Sequence, residues 1–130
     1  MEFEKSKPTI LIAEDDVPTN RLFQIYLKSE FKGKVVSAYN GDQAVEQCQV
    51  HEPELILMDV NMPYKDGITA IKEIRASGYE NPIVVITAYP ETKKECLKAG
   101  ADILIPKPVG KAEFLKQLDK ILKDTEKLTC

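Results

Sequence analysis

The chain has 130 residues, of which 43% are hydrophobic and 30% are charged, and its formal net charge is -3. This length suits one domain, the composition excludes an intrinsically disordered chain, and the slight acidity disfavours direct nucleic-acid binding, which needs a basic face. The sequence contains no stretch long and apolar enough to span a membrane, and its first residues lack the apolar core of a signal peptide. Its three cysteines are far apart and are typical of free thiols in a reducing compartment. We therefore expect a cytoplasmic protein.

Apolar runs rich in Val and Ile alternate with amphipathic stretches along the chain. The runs predict five strands, at 9–13, 34–38, 55–59, 83–87 and 102–105. Four of them are followed by a segment with helical spacing of apolar residues, and after the fourth run a helix is predicted from its opening at Pro90 and its end before Gly100. This alternation predicts a doubly wound α/β fold, a five-stranded parallel sheet with helices on both faces. The domain is expected to span residues 8–123, with flexible ends at 1–7 and 124–130.

Asp59 stands out because it ends an apolar run, Leu55 to Met58, and a turn begins directly after it. A short apolar run bounded by turn residues is typical of a buried strand. Ligands of open parallel sheets bind outside the carboxyl ends of the strands. Asp59 is therefore placed for chemistry rather than for packing.

Two further acids, Glu14 and Asp15, interrupt the end of the first predicted strand. At the same sheet edge as Asp59, they would crowd like charges together unless a cation compensates. A hard divalent cation such as Mg²⁺, or Mn²⁺ in its place, takes carboxylate ligands of this kind. Asp16, in contrast, is expected to cap the helix that begins near Pro18.

Thr87 ends the fourth predicted strand, and Lys107 follows the fifth. Taken singly, each has an ordinary structural explanation, a strand-end threonine and an ion-paired lysine. Together with the acids they provide what the formation of an aspartyl phosphate needs. Asp59 is then the nucleophile, and the cation and Lys107 neutralise charge on the transferring group.

In these motifs the sequence resembles the receiver domain of two-component response regulators, from Pro8 to Leu122. The resemblance implies a flavodoxin-like sheet with strand order 2-1-3-4-5. The motifs that carry it are Glu14-Asp15, Asp59, Met62-Pro63, Asp66-Gly67, Thr87-Ala88 and Lys107-Pro108.

The resemblance also implies a set of metal ligands. Asp15 and Asp59 would bind Mg²⁺ (or Mn²⁺) directly, and Glu14 would act mainly through water. Asn61 would contribute its backbone carbonyl. Glu14 stands where many family members have Asp, and the extra methylene is tolerated if this carboxylate works through water.

The expected reaction is the transfer of a phosphoryl group onto Asp59 from a histidine kinase or a histidine phosphotransfer protein. Thr87 and Lys107 would contact the phosphoryl oxygens, and the Lys107–Pro108 peptide bond would be cis. Phosphorylation would then favour one of two arrangements of the fourth helix, the fifth strand and the fifth helix, the face that regulates a partner or output. Homodimerisation through a second receiver is a further expected contact.

Two positions complicate this expectation. Leu104, three residues before Lys107, occupies a place where receivers often have an aromatic switch residue. Tyr89, two residues after Thr87, is predicted either to tune the lifetime of the phosphoryl group or to be an ordinary exposed aromatic. The stretch from Glu14 to Arg21 also resembles receivers attached to hybrid histidine kinases, from which this chain would be an excised domain.

Two alternatives to a signalling receiver follow from the residues. A phosphatase with an aspartate nucleophile needs a second acid as general acid, and Asn61 cannot serve as one. A phosphorylation-independent binding module with a receiver fold would not need the intact set of site residues. The chain is thus expected to phosphorylate and dephosphorylate itself as a signalling domain rather than to act as a conventional enzyme.

Overall fold

A five-stranded parallel sheet forms the centre of the protein in the computed structural model, which describes the backbone of residues 8–129 and the side chains of residues 8–124. The strands are β1 (Thr9–Ala13), β2 (Lys34–Ala38), β3 (Leu55–Met58), β4 (Ile83–Thr87) and β5 (Ile103–Pro106). Their order is β2-β1-β3-β4-β5, so the predicted flavodoxin-like topology is confirmed. Because all strands are parallel, their carboxyl ends share one edge of the sheet.

Five α-helices cover the two faces of the sheet: α1 (Val17–Lys28), α2 (Gly41–His51), α3 (Gly67–Ala76), α4 (Lys93–Ala99) and α5 (Lys111–Thr129). Buried residues of α2, α3 and α4 share one core cluster, and those of α1 and α5 share the other. Alternate residues of each strand supply the two faces, as Leu11 and Ile12 of β1 do. None of the described helices is long and apolar enough to cross a lipid bilayer.

The α1–α5 layer is held by aromatic packing. Phe23 and Phe114 stack with ring centroids 5.1 Å apart, and Tyr26 packs on Phe114 at 5.2 Å. Such pairs add stabilisation beyond the apolar area that they bury. These contacts fix α1, whose first turn lies beside the carboxyl edge of the sheet.

Helix α1 begins as the sequence predicts, because the Asp16 carboxylate accepts a hydrogen bond from the Thr19 backbone N–H at 3.1 Å. The region after β4 differs from the prediction of a helix that opens at Pro90. A 3₁₀ turn, Pro90–Thr92, comes first, and α4 starts at Lys93.

The ends of three other elements also differ from the expected bounds. Strand β3 ends at Met58 and leaves Asp59 in the loop, and β5 is shifted by one residue to Ile103–Pro106. The backbone of α5 is helical to Thr129. The predicted flexible end at 1–7 lies outside the described residues.

Candidate functional site

The strand register brings the predicted site residues to one edge of the sheet. Ala13 of β1 pairs with Met58 of β3, so the next residues, Glu14 and Asp59, are neighbours. The Asp59 N–H donates to the Ala13 carbonyl at 2.9 Å. Farther along the sheet, the Lys107 N–H donates to the Thr87 carbonyl at 2.8 Å. The site is therefore built by the fold from four distant parts of the chain.

Three carboxylates form the centre of the site. Glu14, Asp15 and Asp59 each offer an oxygen, and these oxygens lie within 4.8 Å of one another. Glu14 is 2% exposed and Asp59 is 7% exposed, whereas Asp15 is open to solvent. Hard carboxylate oxygens at this spacing, with one open side, fit a divalent cation that keeps part of its water shell.

The ammonium group of Lys107 lies between two of these acids. Its Nζ is 2.6 Å from Glu14 Oε1 and 3.3 Å from Asp59 Oδ2. The shorter contact is thus to Glu14 and not to Asp59. One lysine faces a pair of buried acids, so the pocket keeps an excess of negative charge.

Burial raises the pKa of Glu14 to about 7, and the negative charge of Asp59 adds to this rise. The hydrogen bonds from Lys107 and from the Asp16 N–H oppose it without cancelling it. Burial would lower the pKa of Lys107, but the bond to Glu14 and the charges of Asp59 and Glu14 outweigh burial and raise it. Lys107 therefore stays cationic in the pocket.

Hydrogen bonds from the backbone orient both buried acids. Glu14 Oε2 accepts from the Asp16 N–H at 3.0 Å, and Asp59 Oδ1 accepts from the Val60 N–H at 2.8 Å. Asn20 donates from its side chain to the Glu14 backbone carbonyl at 3.1 Å. These bonds hold the two carboxylates before any ligand arrives.

Sequence reasoning missed Asn20, which is fully buried on α1. Its Oδ1 also accepts hydrogen bonds from Gln24 and Ser37, so it links the backbone after β1 to β2. The signal was present, because Asn20 shares the buried face of α1 with Phe23 and Leu27. A polar residue at a core-facing helical position needs a hydrogen-bond partner, and here one partner is the backbone carbonyl of Glu14 in the site.

The loop after Asp59 closes tightly over it. A Cβ on Gly67 would lie 2.0 Å from the Asp59 carbonyl oxygen, so only glycine permits this approach. The Gly67 N–H donates to the Val60 carbonyl at 2.8 Å, and Asp66 caps α3 through the Thr69 N–H at 2.8 Å. The Asp66-Gly67 pair therefore fixes the β3–α3 loop. The side chain of Asn61 is exposed in this loop, and the role of its carbonyl as a ligand stays a prediction.

The hydroxyl of Thr87 is fully buried and accepts a hydrogen bond from the Tyr89 N–H at 3.1 Å. Among the described residues, it makes no hydrogen bond to Glu14, Asp59 or Lys107. The Lys107–Pro108 peptide bond is cis, as the resemblance implied. Thr87 and Lys107 thus lie at the predicted edge, and of these two described residues only Lys107 is hydrogen-bonded to the acids.

A family model described as "Response regulator receiver domain" matches residues 10–119. The chain is 35% identical over 116 residues to the chemotaxis protein CheY of Bacillus subtilis, with 87% of this chain and 96% of that protein covered. It is 34% identical over 112 residues to a protein of Priestia megaterium named "Probable C4-dicarboxylate response regulator DctR". That match covers 84% of this chain and 49% of the relative, so the chain spans about half the length of DctR.

Among solved structures, the fold is similar to the receiver domain of the sensor histidine kinase PA1611 from Pseudomonas aeruginosa PAO1. The TM-score is 0.83 at 30% identity, and the alignment covers 91% of this chain and 99% of that chain. That structure contains a magnesium ion coordinated in its active site cleft. Sequence and fold comparisons therefore point to the same family.

Proposed function

The chain belongs to the response regulator receiver domain family, and we propose that it accepts a phosphoryl group on Asp59 with the help of Mg²⁺ (or Mn²⁺). The donor is a phosphohistidine on a histidine kinase or a histidine phosphotransfer protein. The observation that supports this most is the contact of Lys107 with two buried acids, Glu14 and Asp59, beside the exposed Asp15. Three acids beside one lysine leave an excess of negative charge, which suits a cation and, with it, a phosphoryl group.

The transfer is a displacement at phosphorus. An oxygen of the Asp59 carboxylate forms the new P–O bond while the P–N bond to the donor imidazole breaks, and the electron pair of that bond leaves with the imidazole. When bound, Mg²⁺ neutralises negative charge shared by the acids and the phosphoryl oxygens. Hydrolysis later returns Asp59 to a free carboxylate.

In this proposal, Asp15 and Asp59 hold the metal directly together with the Asn61 backbone carbonyl. Glu14 acts through water, because the Lys107 ammonium lies 2.6 Å from its Oε1 but 3.3 Å from Asp59 Oδ2. Held more closely by the lysine, the Glu14 carboxylate is less available as a direct ligand than Asp59 or the exposed Asp15.

Lys107 neutralises the incoming charge. Its bond to Asp59 is the longer one, at 3.3 Å, and a phosphoryl group on Asp59 offers new anionic acceptors in its reach. The Thr87 hydroxyl accepts from the Tyr89 N–H, and its own proton becomes available to a phosphoryl oxygen when the hydroxyl turns toward Asp59. Charge-assisted hydrogen bonds of this kind connect the chemistry to the loops after β4 and β5.

We assign the partner-binding role to the face formed by α4, β5 and α5. A groove there is lined by apolar side chains, among them Leu97, Ile103, Leu104 and Val109. Leu104 is half-buried and packs against the core cluster beneath α4. At this position of β5 the chain therefore carries an aliphatic side chain and not an aromatic one.

The test is the intact mass of the protein after incubation with acetyl phosphate, in Mg²⁺ or in chelator, for wild type and Asp59→Asn. We expect one phosphoryl adduct that requires both Mg²⁺ and Asp59. A folded wild type that gains no adduct and binds no beryllofluoride would contradict the proposal and favour a phosphorylation-independent binding module.

A further inference from the structure

The backbone of Tyr89 is held from both sides by threonine hydroxyls. Its N–H donates to Thr87 Oγ1 at 3.1 Å. Its carbonyl accepts from Thr92 Oγ1 at 2.7 Å and from the Thr92 N–H at 3.1 Å. Tyr89 cannot turn without breaking bonds to a residue of the site on one side and to the 3₁₀ turn on the other.

The Thr92 hydroxyl bonds to the backbone carbonyl three residues earlier, as threonine side chains often do. Thr92 stands at the N-cap of α4, where a threonine side chain normally accepts a hydrogen bond from the first turn, but it does not cap the helix. Its hydroxyl turns back to Tyr89 instead. The Thr92 hydroxyl could cap α4 or bond to the Tyr89 carbonyl, and of these two it makes the bond to Tyr89 in this structure.

Cys96 completes a chain of contacts from the site to the core. Its Sγ is fully buried and lies 3.6 Å from Thr92 Oγ1. Because the single hydroxyl proton of Thr92 is given to the Tyr89 carbonyl, the thiol is the donor in this contact. The orientation of the Thr92 hydroxyl is therefore fixed from beneath α4.

We propose that the Thr92 hydroxyl is a latch on the β4–α4 loop that opposes phosphorylation. This inference rests on the proposed function, in which the Thr87 hydroxyl turns to a phosphoryl oxygen on Asp59. That turn breaks the bond from the Tyr89 N–H and moves Tyr89, so the bonds of its carbonyl to Thr92 must be released. Thr92 is a positioning residue, since it touches neither the acids nor Lys107.

Loss of the Thr92 hydrogen bond is expected to raise the affinity for a phosphoryl mimic, whereas loss of a purely structural hydrogen bond would not. A bond present only in the free arrangement lowers affinity for any ligand that requires the other arrangement. Removal of the hydroxyl is therefore expected to tighten the binding of a phosphoryl mimic. One net hydrogen bond corresponds to a change of about fivefold.

The experiment is a calorimetric titration of the protein with beryllofluoride in Mg²⁺, and separately with Mg²⁺ alone. Wild type is compared with Thr92→Val, which replaces the hydroxyl with a methyl group, and with Thr92→Ser, which keeps the hydroxyl. Thr69→Val is the matched control, because Thr69 is exposed on α3. If Thr92→Val does not fold, Thr92→Ala replaces it with the same expectations.

We expect Thr92→Val to bind beryllofluoride about fivefold more tightly, with Mg²⁺ affinity changed by less than about twofold. Thr92→Ser and Thr69→Val should behave as wild type. Equal or weaker beryllofluoride binding by Thr92→Val, with normal binding by wild type, overturns the latch alone. A wild type that binds no beryllofluoride overturns the proposed function instead.

Discussion

The two ends of α4 are held in different ways. At the carboxyl end, Arg75 donates to the Gly100 carbonyl at 3.0 Å and bridges to Asp102 at 3.0 Å. At the amino end, the Thr92 hydroxyl is bonded to the Tyr89 carbonyl, and no side chain caps the helix. One end is therefore clamped by an arginine and the other by a single hydroxyl.

This difference indicates that the amino end of α4, rather than its carboxyl end, can move when the site binds a ligand. Arg75 also donates to the carbonyls of Tyr79 and Asn81, so it joins the α3–β4 loop to the end of α4. The helix itself buries only two small residues, Cys96 and Ala99. A segment with few buried contacts opens at low free energy, and its clamped end becomes the pivot. We expect α4 to turn about Gly100 when Thr87 engages a phosphoryl group.

The largest effect should come from loss of the clamp. Arg75→Met leaves three backbone carbonyls without their donor and should reduce the free energy of unfolding by about 3 kcal/mol. Urea unfolding measures this change. Arg21→Met, at an exposed arginine of α1, is the control and should change the stability by less than about 0.5 kcal/mol. Equal losses in the two variants would show that no clamp exists.

A smaller effect is expected at the pivot residue. Gly100 has φ of 128°, and a Cβ there would lie 2.6 Å from Arg75 Cγ. Gly100→Ala should therefore lower the free energy of unfolding by about 2 kcal/mol, through the unfavourable φ and the displaced arginine. Gly78→Ala shares a positive φ, 100°, but has no atom within 4 Å, so about 1 kcal/mol is expected. If Gly78→Ala proved as harmful as Gly100→Ala, the contact with Arg75 would be irrelevant.

The smallest effect is local and distinguishes the two ends of α4 directly. With Mg²⁺ and beryllofluoride, the backbone amides of Tyr89 and of residues 91–95 should change their hydrogen-exchange rates several-fold, because the bonds around Tyr89 rearrange. The amides of residues 97–101 should change by less than about twofold, because Arg75 holds that end. Amide-resolved exchange by NMR gives both values. A uniform change along the helix would contradict the pivot.

Much of the site could be predicted from the sequence, since the carboxyl ends of parallel strands meet at one edge. This reasoning placed Glu14, Asp59, Thr87 and Lys107 together, and local chemistry alone predicted the cap at Asp16. The nearer partner of Lys107 could not be predicted, because the choice between Glu14 and Asp59 depends on side-chain rotamers. The strand order came from the family resemblance and not from periodicity.

The start of α4 shows a different limit of sequence reasoning. Pro90 fits the first turn of either an α-helix or a 3₁₀ turn, so the sequence alone does not choose between them. In the structure the Thr92 hydroxyl donates to the Tyr89 carbonyl and lies 3.6 Å from the buried Cys96 Sγ, contacts that the sequence does not reveal. The Arg75 clamp was missed for a similar reason. An arginine in the last turn of a helix is common, and its partners come from loops that only the fold brings together.

The most direct test of the account identifies the residue that carries the phosphoryl group. The protein is phosphorylated with acetyl phosphate in Mg²⁺, reduced with borohydride, digested and analysed by peptide mass spectrometry. Borohydride converts an aspartyl phosphate to homoserine, so we predict homoserine at position 59 and at no other acid. Homoserine at Asp15, or none in a protein that has gained a phosphoryl group, would contradict the assignment of Asp59 as the phosphoryl acceptor.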